Sequence, residues 1–190
     1  MHLALPIALL PSPSWPARMV VMDAADRVDG MDAGPHPAAD QPSPSLTPVE
    51  VVDAQLKALQ NGDVQRCFRF ASPSNKRATG PWQRFEMMVR QTPAYAPLVG
   101  CERYLIVGAL SVRADTYRIR ARVWPASGVS VPPVNQKTSG FKVPVLDYDW
   151  ELSRQPDNSI DYTCASCWMV DAVMPDASPL EVWDEDGAAD

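Results

Sequence analysis

Histidine is almost missing from this chain: there are two in 190 residues, His2 and His36, both near the start. It is the side chain most used for proton transfer near neutral pH. Any such chemistry in the rest of the chain would therefore fall to carboxylates and tyrosines. Nine glycines are present, but none is arranged as a phosphate-cradling loop, and there is no G-x-S-x-G nucleophile elbow. No apolar run approaches the roughly 20 residues that a membrane-spanning helix needs, so no membrane association is expected. A zinc site needs four ligands. The chain offers four cysteines, Cys67, Cys101, Cys164 and Cys167, with both histidines far from them in sequence. Cys67 and Cys101 stand among apolar neighbours and read as small core residues. Cys164-Ala-Ser-Cys167 has the spacing of a metal or redox pair. Placed on a strand, however, its two thiols would face opposite sides, so neither a metal nor a cofactor is expected.

Charge is distributed unevenly. Residues 1–46 hold five Asp and two Arg, and residues 175–190 hold six acids and no base, so the formal charge of −6 belongs to the two ends. The expected organisation is a Pro/Ala/Asp-rich disordered leader over 1–46, one folded domain over 47–174 and an acidic disordered tail over 175–190. The leader lacks the early basic residues of a secretory signal, and Pro6 interrupts its apolar patch. In the tail, Leu180 and Trp183 are apolar anchors in an acidic setting and read as a short docking segment.

The folded part opens with TPVEVVDAQLKALQNGD. Thr47 and Glu50 have the spacing of a capping box, Pro48 occupies the first helical position and Leu46 can staple onto Val51. Val52, Gln55, Leu56 and Leu59 recur at helical spacing until Asn61-Gly62 supplies a left-handed stop. Asp63 can cap a second helix, Val64–Phe70. Ala71–Gly80 reads as a loop, and Pro81–Arg90 as a third helix burying Trp82, Phe85, Met88 and Val89.

From Cys101 the period changes to two. Strands are expected over Glu102–Ser111, Thr116–Trp124, Phe141–Leu152 and Ile160–Met174, with turns at Val112–Asp115 and Gln155–Ser159 and a long loop over Pro125–Gly140. Arg118, Arg120 and Arg122 share one face of the second strand. Asp147, Asp149 and Glu151 share one face of the third. An antiparallel pairing that sets Arg118 opposite Glu151 also sets Arg120 against Asp149 and Arg122 against Asp147, while the apolar faces coincide. Arginines neutralised in this way do not make a nucleic-acid surface.

Helices followed by an antiparallel sheet define an α+β layout in which the helices cover one sheet face. The segments VVDAQLKALQNGDVQRCFRFASPSNKRATGPWQRFEMMV and YAPLVG, and later YDWELSRQ and CWMVDAV, resemble the family known as domain of unknown function 4864. Its members resemble the nuclear-transport-factor-2-like, or cystatin-like, cone. The resemblance covers about Pro48 to Met174. It implies a curved antiparallel sheet wrapped on N-terminal helices, with a pocket between them. It carries no catalytic motif, and the fold hosts enzymes and binding domains alike.

An enzyme would need an acid or base in that pocket. The candidates are Tyr148, Asp171 and Asp63, and no pair of carboxylates converges on the concave face. Gln55, Trp82, Tyr117, Tyr148, Trp150 and Trp168 are the expected pocket lining. The expected function is a noncatalytic protein-interaction or small-ligand-binding domain, intracellular in cytoplasm or plastid and able to form a homodimer. Its partner would be a protein or a small apolar ligand. The alternatives are a pocket enzyme of isomerase or hydrolase type acting on a small apolar substrate, and an accessory subunit of a larger assembly.

Overall fold

The computed structural model describes residues 39–129, 137–138, 144–157 and 164–176. Four helices come first: α1 (Pro48–Gln60), α2 (Val64–Arg69), α3 (Pro73–Thr79) and α4 (Trp82–Gln91), followed by a 3-10 turn at Ala96–Leu98. The strands are β1 (Arg103–Arg113), β2 (Thr116–Trp124), β3 (Lys137–Thr138), β4 (Pro144–Arg154) and β5 (Trp168–Pro175). The architecture is α+β, with the helices packed on an antiparallel sheet.

α1 begins where its capping box places it. The Glu50 amide donates to Thr47 Oγ1 at 3.3 Å, and the Glu50 carboxylate accepts from the Thr47 amide at 2.7 Å. These bonds satisfy donors that a helix start leaves without partners. Gly62 ends the segment at φ +71°, a conformation that costs glycine no Cβ clash. Asp63 caps α2 by accepting from the Arg66 amide at 2.9 Å. Ala39 and Asp40, expected within the leader, contact α2: Arg66 Nη2 donates to the Ala39 carbonyl at 2.9 Å and pairs with Asp40 at 3.2 Å.

The segment expected as a loop over Ala71–Gly80 contains helix α3. Ser72 caps it, accepting from the Asn75 amide at 3.2 Å, and Pro73 occupies the first turn. The start signal is present in the sequence, but the helix buries none of its residues and so has no apolar period to read. α4 starts at Trp82 with Pro81 as its cap. Of the four residues expected to be buried there, only Val89 is; Trp82 and Phe85 are half-buried and Met88 is exposed.

The main sheet runs β1-β2-β4-β5, and the two-residue β3 pairs with the start of β4. β1 runs through Arg113, past the expected turn start at Val112. β5 begins at Trp168 rather than Ile160; residues 160–163 lie outside the described residues. Cys164–Cys167 is a turn with Ser166 at φ +59°, and the two cysteines are joined by a disulfide. That corrects the reading of this pair as strand residues facing opposite sides: in a turn, residues three apart approach each other, with Cα atoms 5.4 Å apart here.

α1 lies across the inner face of the sheet. Val51, Val52 and Leu56 are fully buried against Ile119, Ala121 and Val123 of β2 and Tyr148, Trp150 and Leu152 of β4. On the outer face, β2 and β4 pair in the register set by the charge pattern, Arg118 opposite Glu151, Arg120 opposite Asp149 and Arg122 opposite Asp147. Arg120 and Arg122 each grip their partner carboxylate with two nitrogens, and Arg118 bonds Glu151.

Candidate functional site

Because α1 covers the inner face of the sheet, the space left open lies to its side. A cavity of about 590 Å³ lies between α1, α3, α4 and the edge strand β5. Its walls are mainly apolar: Leu59 from α1, Ala78 from α3, Phe85 and Val89 from α4, and Val170 and Val173 from β5. This volume is within the range of small-molecule sites.

Each wall has a local cause. The Ser72 amide donates to the Val170 carbonyl at 2.8 Å and the Val170 amide to the Phe70 carbonyl at 2.9 Å, so the entry to α3 is laced to β5. Asn75 Nδ2 adds a bond to the Val170 carbonyl at 3.2 Å. Tyr95, after α4, donates its hydroxyl to the Val173 carbonyl at 3.1 Å and ties the far side of the cavity to the same strand. α4 packs on α2 through Phe85 and Phe68, whose ring centres are 5.1 Å apart.

The polar groups are few. Gln55 lines the cavity with both ends of its amide bonded within the core: its Nε2 donates to the Cys67 carbonyl at 3.0 Å and its Oε1 accepts from Trp150 Nε1 at 3.1 Å. Asp171 sits where the β4–β5 register skips a residue, with Glu151 opposite Ala172 and Leu152 opposite Val170. Such a bulge re-aims a side chain. Asp171 Oδ1 accepts from Ser74 Oγ at 3.3 Å, and both residues line the cavity. Burial pushes the Tyr95 hydroxyl above its ordinary range. It also raises the Cys67 thiol to about 12, assisted by the Asp63 charge. Neither group is an acid or base near neutral pH.

Of the expected pocket residues, Gln55 is the one that lines this cavity. Tyr148 and Trp150 are fully buried in the core; the Tyr148 hydroxyl donates to the Ala94 carbonyl at 2.8 Å and is driven upward in pKa, chiefly by burial. Tyr117 and Trp168 stack edge to face at 5.1 Å away from the cavity lining, and Trp82 is half-buried on α4. Of the proton-transfer candidates, Asp171 lines the cavity, Tyr148 does not, and Asp63 is a helix cap. Leu180 and Trp183 lie outside the described residues. α3 adds Ser74, Asn75, Ala78 and Thr79 to the lining, residues without an apolar period that would signal a wall.

Among the described residues no cluster of metal-ligating side chains occurs, and no helix is long and apolar enough to cross a membrane. Comparison with protein families gives one result. Residues 44–100 match a domain of unknown function, DUF4864. The match covers α1 to α4 and the 3-10 turn, and it stops before β1. These elements supply three of the cavity's four walls, whereas β5 lies beyond the matched residues. No curated protein and no solved structure matches the chain.

Proposed function

We propose that this chain is a noncatalytic small-ligand-binding domain of the DUF4864 family, with a fold of the nuclear-transport-factor-2-like type. The observation that carries the reading is the cavity of about 590 Å³ between α3, α4 and β5, walled by apolar side chains. Burying apolar ligand surface there gains about 25 cal/mol per Å² before the costs of association. Its polar residues are mostly occupied by bonds within the protein, which favours holding a molecule over transforming it. The helices laid on an antiparallel sheet support the superfamily assignment.

The test uses the full chain and Nile red, a neutral dye that brightens in apolar sites. Binding is expected for the native protein and is expected to be lost in Ala78→Trp, which places an indole at the cavity wall. A native protein that leaves the dye dark overturns the reading.

A second reading, a pocket enzyme acting on a small apolar substrate, is favoured by one observation: Asp171 places a carboxylate in the cavity wall. It predicts turnover that Asp171→Asn abolishes. Self-association is supported by the exposed Leu105, Leu110 and Val112 on the edge strand β1. Sedimentation of wild type against Leu105→Lys tests it. The paired arginines of β2 argue against nucleic acid as partner. Free Cys67 and Cys101 support an intracellular setting, while the bonded Cys164 and Cys167 weigh toward an oxidising one.

A further inference from the structure

The polar groups around the cavity are unbalanced in a way that selects a ligand. Asn75 Nδ2 and the Tyr95 hydroxyl donate to β5 carbonyls, the Thr79 hydroxyl donates to the Asn75 carbonyl at 2.8 Å, and Gln55 Nε2 donates to the Cys67 carbonyl. Each of these four side chains thus spends a donor within the protein. Asp171 is the single charged side chain among the described lining residues. Among the described residues its side chain accepts one hydrogen bond, the 3.3 Å contact from Ser74, whose hydroxyl also lies 2.7 Å from Ser72 Oγ. Among the described residues no Lys or Arg pairs with it. Lys76, on the same helix as Ser74, donates instead to the Arg69 carbonyl at 3.0 Å and lies over the Phe68 ring.

A carboxylate beside an apolar wall, with acceptor capacity left over, is matched by a donor that carries positive charge. A ligand carboxylate would face the Asp171 charge, with no cationic side chain in the lining to offset it. We infer that the cavity takes a small amphipathic amine, its apolar body against Phe85, Val89 and Val173 and its ammonium on Asp171. This rests on the ligand-binding reading and adds the chemical class of the ligand to it.

The test is displacement of Nile red from the full chain by three ten-carbon compounds: decylamine, protonated at pH 7, decanol, neutral, and decanoate, anionic. A charge-assisted hydrogen bond corresponds to about tenfold in affinity or more. Decylamine is therefore expected to displace the dye at about tenfold lower concentration than decanoate. Asp171→Asn should erase that preference, and Asp171→Glu should retain it. Equal displacement by the three compounds, or a preference that survives Asp171→Asn, overturns the amine assignment while leaving a ligand cavity in place. Absence of dye binding in the native protein overturns both.

Discussion

Arg120 of β2 faces Asp149 of β4 with its Nε on one carboxylate oxygen and its Nη2 on the other, both at 2.8 Å. Arg120 also reaches Asp176, at 3.4 Å, just past the end of β5, so one guanidinium links three segments of the outer sheet face. The fork of arginine suits this geometry in a way that a lysine ammonium does not.

Removing one partner leaves the other charge largely shielded, since Arg120 and Asp149 are 16% and 15% exposed. Arg120→Met is expected to destabilise by about 2–3 kcal/mol, because Asp149 and Asp176 lose their shared cation. Arg120→Met with Asp149→Leu should cost less than the two single changes added together. Urea titrations of the four proteins measure this coupling, and strict additivity would show that the bridge contributes nothing.

Trp150 donates its indole N–H to Gln55, at the centre of the core. Trp150→Phe keeps an aromatic ring but leaves Gln55 Oε1 buried without a donor, for an expected loss of about 1–3 kcal/mol. Gln55→Leu in the Trp150→Phe background should recover part of it. Chemical denaturation followed by far-UV circular dichroism reads both changes.

The capping box predicts that Thr47→Ala lowers stability by about 1 kcal/mol. Thr47→Ser, which keeps the accepting oxygen, is expected to stay close to wild type. Thermal melts distinguish the two, and equal losses would mean that the Thr47 methyl group matters more than its hydroxyl.

Cys67 makes stability depend on alkaline pH. Its thiol is raised from 9.0 to about 12 by burial and by Asp63, so the folded state keeps its proton where the unfolded chain loses it. The associated stability is fully present below pH 9 and is lost as pH rises from 9 toward 12, at about 1.4 kcal/mol per pH unit. Cys67→Ala should show a shallower decline than wild type over that window, after subtracting their difference at pH 7. Parallel curves in urea titrations at pH 8, 9 and 10 would refute the assignment.

How much was readable from residues alone depends on whether a signal was local. The start of α1, the Gly62 stop and the β2–β4 register were legible because each rests on nearest neighbours: a cap three residues from its partner, a glycine at positive φ, charges alternating with apolar side chains. α3 was not legible by period, since PSNKRAT has no apolar face and is held by its Ser72 cap and by bonds to β5. The disulfide turn was misread because an apolar, alternating context was extended through Cys164, although β5 begins only at Trp168.

The cavity followed a different logic. The sequence supplied aromatic residues for a pocket, and tertiary packing used Tyr148 and Trp150 to fill the space under α1 instead. The remaining opening formed where the short helices α3 and α4 lean on the edge of β5, among side chains drawn from Gln55 to Val173. By itself the sequence determined the elements with strong local codes and the pairing of the two charged strands, because caps, periods and charge alternation act between residues a few positions apart or across one ladder. Only the tertiary structure decided where space was left and which carboxylate faces it, because a void and a bulge at Asp171 are fixed by how whole elements pack, and no stretch of residues encodes that alone.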